Sequence, residues 1–253
     1  MKRSLYNLTD EPFAMFVNRV GKVFRDIGIK HNIVGGVAVQ AYMLRFLARE
    51  RDVVSFLDDS NIRIQDYFRN TDDVDVSLNL QFNDNERRRI IEEILPQFEF
   101  EDISPVKNYI VGVKLERHGV SRPTFKFYVD GDNESYEEII SMNISRNQEG
   151  DLHKLNDSWY KEFLNQSKKI TIPYCQNFNL EINAPVLEHL LASKIALSRA
   201  KDLMDIKNLS GAVKDSGIEL DFNKMDNILL PYHENNYCRF LKEEYPFEFK
   251  RLL

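Results

Sequence analysis

Apolar residues at helical spacing open the chain. Phe13, Phe16, Val17, Val20, Val23, Phe24 and Ile27 recur every three or four positions, predicting an amphipathic helix that Gly28 is placed to end. Ile33 and Val34 then predict a short strand, Gly35-Gly36 a turn, and the residues from Val37 to Arg49 a second helix. Residues 50–68 are charged and weakly periodic and read as a loop or irregular insertion. Over 73–80 the pattern becomes strict alternation: Asp73, Asp75, Ser77 and Asn79 interleave with Val74, Val76, Leu78 and Leu80. A period of two predicts a strand with its apolar side on a core and with Asp73 and Asp75 side by side on the other face. A helix is expected over 83–97, with Ile90, Ile91, Ile94 and Leu95 as its buried stripe. Strands follow over 109–115 and 124–129, joined by a turn through 117–123, with further strands over 169–173 and 180–182.

After Pro185 the period returns to helical through Leu187, Leu190, Leu191, Ile195 and Leu197, continuing with Leu203, Ile206 and Leu209, and Gly211 offers a stop. Taken as one helix, this region brings Lys194, Lys201 and Asp205 close to one face, with Arg199 and Asp202 on an adjoining stripe. A divide near residue 184 separates a mixed part, 1–183, from a helical part, 184–253.

The chain's 253 residues, 43% hydrophobic and 11% aromatic, suffice for one large or two small packed domains and exclude wholesale disorder. A formal charge of −6 argues against non-specific wrapping of nucleic acid, though not against a local basic patch. Cys175 and Cys238 fit neither a disulfide framework nor a zinc pattern, and the simplest setting is reducing and cytoplasmic. The start, Met-Lys-Arg-Ser-Leu-Tyr, has no long apolar core and does not read as a signal peptide. The longest apolar stretch, 33–48, is interrupted by Gln40 and Arg45 and is too short for a bilayer, so no membrane partner is expected.

Three segments carry the chemistry. Two adjacent carboxylates, Asp73 and Asp75, repel each other unless a cation or proton lies between them, and Mg²⁺ shared with substrate phosphates is the usual solution. Alone, the same Asp-x-Asp is also what a strand with a solvated acidic face presents. A strand running into Gly35-Gly36 and then a helix leaves backbone N–H groups open to a phosphate. Such turns also occur for steric reasons. Lys194 stands in an otherwise apolar run, where a solvated charge is out of place, although a surface helix laced with ion pairs would look similar. The five histidines show no metal spacing, and Trp159 and Tyr160 read as packing.

In order along the chain stand Ile33-Val34-Gly35-Gly36-Val37-Ala38, Arg69-Asn70-Thr71-Asp72-Asp73-Val74-Asp75, and Ala192-Ser193-Lys194 with Arg199 and Lys201-Asp202-Leu203-Met204-Asp205. This ordered set resembles the AbiEii family of the DNA polymerase β-like nucleotidyltransferase superfamily. Its members show Gly-Gly-x-Ala, then Arg-x-Ser/Thr-x-Asp-h-Asp with h apolar, then a helix bearing Lys, a following Arg and a basic-Asp-x-x-Asp ending. The resemblance spans 33–205. It implies an α+β fold, a mixed β-sheet flanked by helices, with a C-terminal helical domain. It implies a Mg²⁺-dependent nucleotidyltransferase that moves an NMP from an NTP to an acceptor: an RNA end, a protein or a small molecule. Asp73 and Asp75 map onto the metal carboxylates, and Gly35 and Gly36, with Arg69 and Thr71, onto nucleotide binding. Lys194 maps onto the helix lysine that contacts the triphosphate, and Asp202 onto a late acid that orients Lys194 or acts as a base. Many members are toxins of toxin–antitoxin or phage-defence systems, which brings an antitoxin protein into view as a partner.

Two departures stand out. The superfamily often carries a third carboxylate on a later strand, and the matching run Lys126-Phe127-Tyr128-Val129 has Tyr128 in its place, leaving Asp130, Asp132 or no residue for that role. The stretch between Gly36 and Arg69 is also longer than usual. Tyr128 favours the alternative, a non-catalytic nucleotide-binding or interaction protein that kept the fold. Asp73, Asp75 and Lys194 favour the enzyme.

Overall fold

The computed structural model describes residues 7–59, 67–71, 73–78, 164–197 and 199–230, together with 112–118, 122–130 and 136–145; for the last three strands, and for Asp73 and Leu78, the backbone alone is described. The chain runs α1 (Glu11–Asp26), β1 (His31–Val34), α2 (Gly35–Ala48), α3 (Val53–Asp59), β2 (Asp73–Leu78), β3 (Gly112–His118), β4 (Arg122–Asp130), β5 (Tyr136–Ser145), β6 (Ser167–Cys175), β7 (Phe178–Pro185), α4 (Leu187–Leu197), α5 (Ala200–Asp215) and α6 (Phe222–Leu229). The class is α+β. Five strands form one sheet in the order β1-β2-β5-β4-β3, and β6 with β7 forms a separate hairpin. Within the larger sheet β2 and β5 are parallel and the other neighbours antiparallel.

Alternation along β2 does what its pattern demands: Val74 and Val76 are fully buried and Asp75 is part-exposed. α2 is apolar on nearly every side, and a helix of that kind is buried all round. It packs against β1, β2, β6, β7, α4 and α5, and its Val37, Ala38, Val39, Ala41, Met43 and Leu44 join the core. α1 buries Phe13, Phe16, Val17, Val20 and Phe24 and packs on β1 and β7. Gly28, just past its end, takes φ +70°, the left-handed conformation that stops helices.

Three elements differ from the pattern-based expectation. Residues 53–59 form a helix, not an irregular loop, because Asp52 supplies a cap. Its carboxylate accepts the Ser55 backbone N–H at 2.9 Å and the Ser55 hydroxyl at 2.7 Å. Val53 and Phe56 then bury one side of that turn. α5 continues through Gly211 to Asp215 and ends at Gly217, φ +67°. The expected single helix after Pro185 is two, α4 and α5, broken at Arg199, whose φ −76° and ψ 158° are extended. With the break, Lys201 opens α5 and is exposed, whereas Lys194 and Asp205 are buried, so the three do not share one buried face. The expected helix over 83–97, and Trp159 and Tyr160, lie outside the described residues. Among the described residues no helix is long and apolar enough to cross a membrane.

Candidate functional site

Strand register builds the site. In the β1–β2 ladder Val34 stands opposite Asp75 and Ile33 opposite Val76. Asp75 therefore arrives at the point where β1 gives way to α2. There Gly35 has φ +69°, which a side chain would strain, and a Cβ on it would lie 2.6 Å from Asp75 Oδ2. At Gly36 a Cβ would run into the Arg69 guanidinium. Gly35 is required by its backbone conformation, and at either glycine a side chain would displace a charged group, an acid at one and a base at the other. The expectation of an open backbone at the helix start is modified: side chains of opposite charge flank it.

Arg69 belongs to a short segment, 67–71, pinned from three sides. Gln40, buried in α2, donates from Nε2 to the Arg69 carbonyl at 2.8 Å and accepts the Leu8 backbone N–H at 2.7 Å. Asn208 of α5 donates to the Tyr67 carbonyl at 3.0 Å, and Asn7 donates to the Asn70 side chain at 3.0 Å. Thr71 is buried at the end of the segment. Gln40 was visible in the sequence only as a polar interruption of an apolar run. A buried amide in that setting is the signal that two backbone groups need a partner.

The Arg69 side chain reaches the C-terminal helices. Its Nε and Nη2 donate to the two oxygens of Asp205 at 2.8 and 3.3 Å, a bidentate pair. Asp205 also accepts Lys194 Nζ at 2.7 Å, and Lys194 reaches Asp202 at 3.1 Å. Arg199 closes the series on Asp202, with Nε donating at 2.6 Å and Nη2 at 3.2 Å. Asp202, the third residue of α5, also accepts the Arg199 backbone N–H at 3.2 Å. That capping bond is what turns the chain between α4 and α5. Burial alone would push the Asp202 carboxyl up; the hydrogen bonds and charges of Arg199 and Lys194 outweigh it and hold it below the ordinary carboxylate range.

The sequence-derived residues thus fall into two connected groups. Gly35, Gly36, Asp75 and Arg69 meet at the start of α2, and Lys194 and Asp202 lie in the corner of α4 and α5. Asp205, absent from the expected site, joins them. The Lys194 ammonium is buried between two carboxylates rather than at the edge of its helix face. The Asp73 side chain lies outside the described residues; its backbone pairs with Ser141 of β5, and that of Asp75 with Asn143. Tyr128 is on β4, separated from β2 by β5, with Asp130 the last residue of that strand, while Asp132 lies outside the described residues. Among the described residues no group of three His, Cys, Asp or Glu side chains stands together as a metal centre. The residues do suit an ion that needs only one or two protein carboxylates. The Asp75 carboxylate lies over a glycine, where no Cβ intervenes.

No protein-family model matches the chain, and no curated protein matches it. Two of the solved structures with a similar outline come from Helicobacter pylori. JHP933 aligns with TM-score 0.39 and 11% identity over 90% of this chain and 81% of its own. A candidate nucleotidyltransferase aligns with TM-score 0.37 and 10% identity over 92% of this chain and 84% of its own. Neither likeness is close enough to establish a fold or an activity.

Proposed function

We propose that the chain is a nucleotidyltransferase that moves a nucleoside monophosphate from an NTP to an acceptor hydroxyl. The observation that supports this most is the junction of β1, α2 and β2, where the Asp75 carboxylate lies on Gly35 and the Arg69 guanidinium on Gly36. A triphosphate needs both kinds of charge: cations for its oxygens, and carboxylates to hold the metal that travels with it.

Asp73 and Asp75 are the residues that would hold Mg²⁺, which when bound neutralises phosphate charge and lowers the pKa of an acceptor hydroxyl. Gly35 and Gly36 admit the phosphates to the backbone, Arg69 meets them there, and Thr71, buried at the end of the same segment, backs that side of the site. Lys194 and Asp202 complete the site from the C-terminal side. With both Asp202 oxygens engaged by Arg199 and Lys194, orienting Lys194 is the role its burial supports, and general base is not. In the reaction the acceptor oxygen bonds to the α-phosphorus and the bond to the bridging oxygen breaks. Pyrophosphate leaves, and the hydroxyl proton passes to water or to the Asp73–Asp75 pair. RNA ends, protein hydroxyls and small molecules all satisfy that chemistry. A role as a toxin with an antitoxin partner belongs to this reading.

A second reading, nucleotide binding without transfer, is favoured by β5, which carries Ser141 and Asn143 rather than carboxylates at the positions registered with Asp73 and Asp75. Incubation with each α-labelled NTP, Mg²⁺ and total RNA or cell lysate separates the two. Label should move to an acceptor, and Asp75→Asn should abolish the transfer without altering the circular dichroism spectrum. Binding of the NTP without transfer to any acceptor would favour the second reading; no binding would sink both.

A further inference from the structure

Five charged side chains alternate in sign from the exposed Arg199 inward through Asp202, Lys194 and Asp205 to Arg69. The three in the middle are sealed, with 0%, 2% and 4% of their surfaces exposed at Asp202, Lys194 and Asp205. Both ion-pair partners of Lys194 are internal, so its charge is already matched before any ligand arrives. The cation that emerges from the series toward the candidate site is Arg69, whose side chain is 17% exposed.

A guanidinium is a rigid plane with donors on more than one edge, so it can grip a carboxylate with one edge and offer another elsewhere. Arg69 uses Nε and Nη2 on Asp205; the guanidinium stands against Gly36 with Nη2 nearest, and Nη1, which takes no part in the pair, is 3.3 Å from where a Cβ on Gly36 would lie. From this geometry we infer that Asp205 is a positioning residue: it grips Arg69 through Nε and Nη2 so that the guanidinium is held beside Gly36 with Nη1 uncommitted to the pair, and Nη1 takes a phosphate oxygen of the nucleotide. Lys194 and Asp202 hold the Asp205 carboxylate in place from behind. A long side chain that is immobilised in advance loses less entropy on binding than one that must be ordered by the ligand. The inference rests on the nucleotidyltransferase reading and changes the part Lys194 plays in it, from phosphate contact to internal counter-charge.

The test is calorimetric titration of the full chain with ATP, GTP, CTP and UTP in Mg²⁺, with the matching nucleosides measured by competition. For a triphosphate that binds, Asp205→Asn and Arg69→Gln should each weaken affinity about 10- to 100-fold, as for loss of a charge-assisted hydrogen bond. Nucleoside affinity should stay put. Combined, the two substitutions should cost no more than Arg69→Gln alone, since Asp205 acts only through Arg69. Additive losses, or wild-type affinity in Asp205→Asn, overturn the positioning role and leave the nucleotidyltransferase reading standing. If Asp205→Asn does not fold, Arg69→Lys keeps a cation beside Asp205 but lacks the second edge, and should lose triphosphate affinity by a similar factor; unchanged affinity there overturns the inference. A wild-type chain that binds none of the four triphosphates overturns the reading itself and the phosphate contact with it.

Discussion

A methyl group on Gly35 would strike the Asp75 carboxylate, and His31, three residues before Val34, is under a constraint of a different kind. Its ring is buried beside Phe24, centroids 5.3 Å apart, with Nδ1 at 3.1 Å from the Ile29 carbonyl. The bond to that carbonyl fixes the proton on Nδ1, and Nε2 has no hydrogen-bond partner among the described residues. Burial, with a smaller contribution from the charge of Arg25, lowers its pKa from 6.5 to about 4 in spite of the bond to Ile29. Between those values the unfolded chain binds a proton that the folded chain does not, so stability falls as pH falls through this window. The loss should reach roughly 3 kcal/mol by its lower end. Urea unfolding of the wild type and His31→Gln across the window checks it: the variant should show a shallower slope, and parallel curves would assign the acid lability to other groups.

The corner between α4 and α5 shows what can hold a helix junction where neither Gly nor Pro marks it. Asp202 caps α5 and pairs with Lys194 at once, so the same carboxylate stops one helix from continuing and ties the next to it. Truncating Lys194 to Ala leaves two buried acids sharing fewer cations, and should lower the unfolding free energy by about 3–5 kcal/mol. Denaturant titration measures this directly; a loss below about 1 kcal/mol would mean that the corner admits water. Elements with a strong period were readable from sequence, among them α1, the strand at 73–78 and the run of small and apolar residues in α2. α3 was not, because one capping aspartate over seven residues makes no periodic signal. The break at Arg199 was hidden for a related reason: Asp202 three residues on is a local bond, whereas periodicity only counts apolar positions. The strand carboxylates and the Gly-Gly could be singled out because each is a short run of special residues. That Arg69 belongs to Asp205 could not, since nothing in either neighbourhood points 136 residues away.

At the scale of the whole molecule, α2 is the axis on which the sheet, the β6–β7 hairpin and the C-terminal helices converge. Gln40 makes that axis specific, joining the segment at Leu8 to the one at Arg69 through a single amide. Gln40→Leu preserves volume but strands a backbone N–H and a carbonyl, at about 1–3 kcal/mol for each. Amide exchange should quicken first at 67–71. Protection at 67–71 unchanged in Gln40→Leu would show that Asn7 and Asn208 suffice to hold that segment.

The pairing of Arg69 with Asp205 also has a consequence in time. On a ribosome adding roughly 5–20 residues each second, Asp205 emerges on the order of ten seconds after Arg69. For that interval the glycines, Asp75 and the arginine are all present in the nascent chain, but the arginine has no anchor. A chain interrupted after Asp75 but well before Asp205 would carry the glycines, Asp75 and Arg69 and still lack the anchor for that arginine. Only when translation has passed through α5 does the guanidinium of Arg69 meet the carboxylate that holds it.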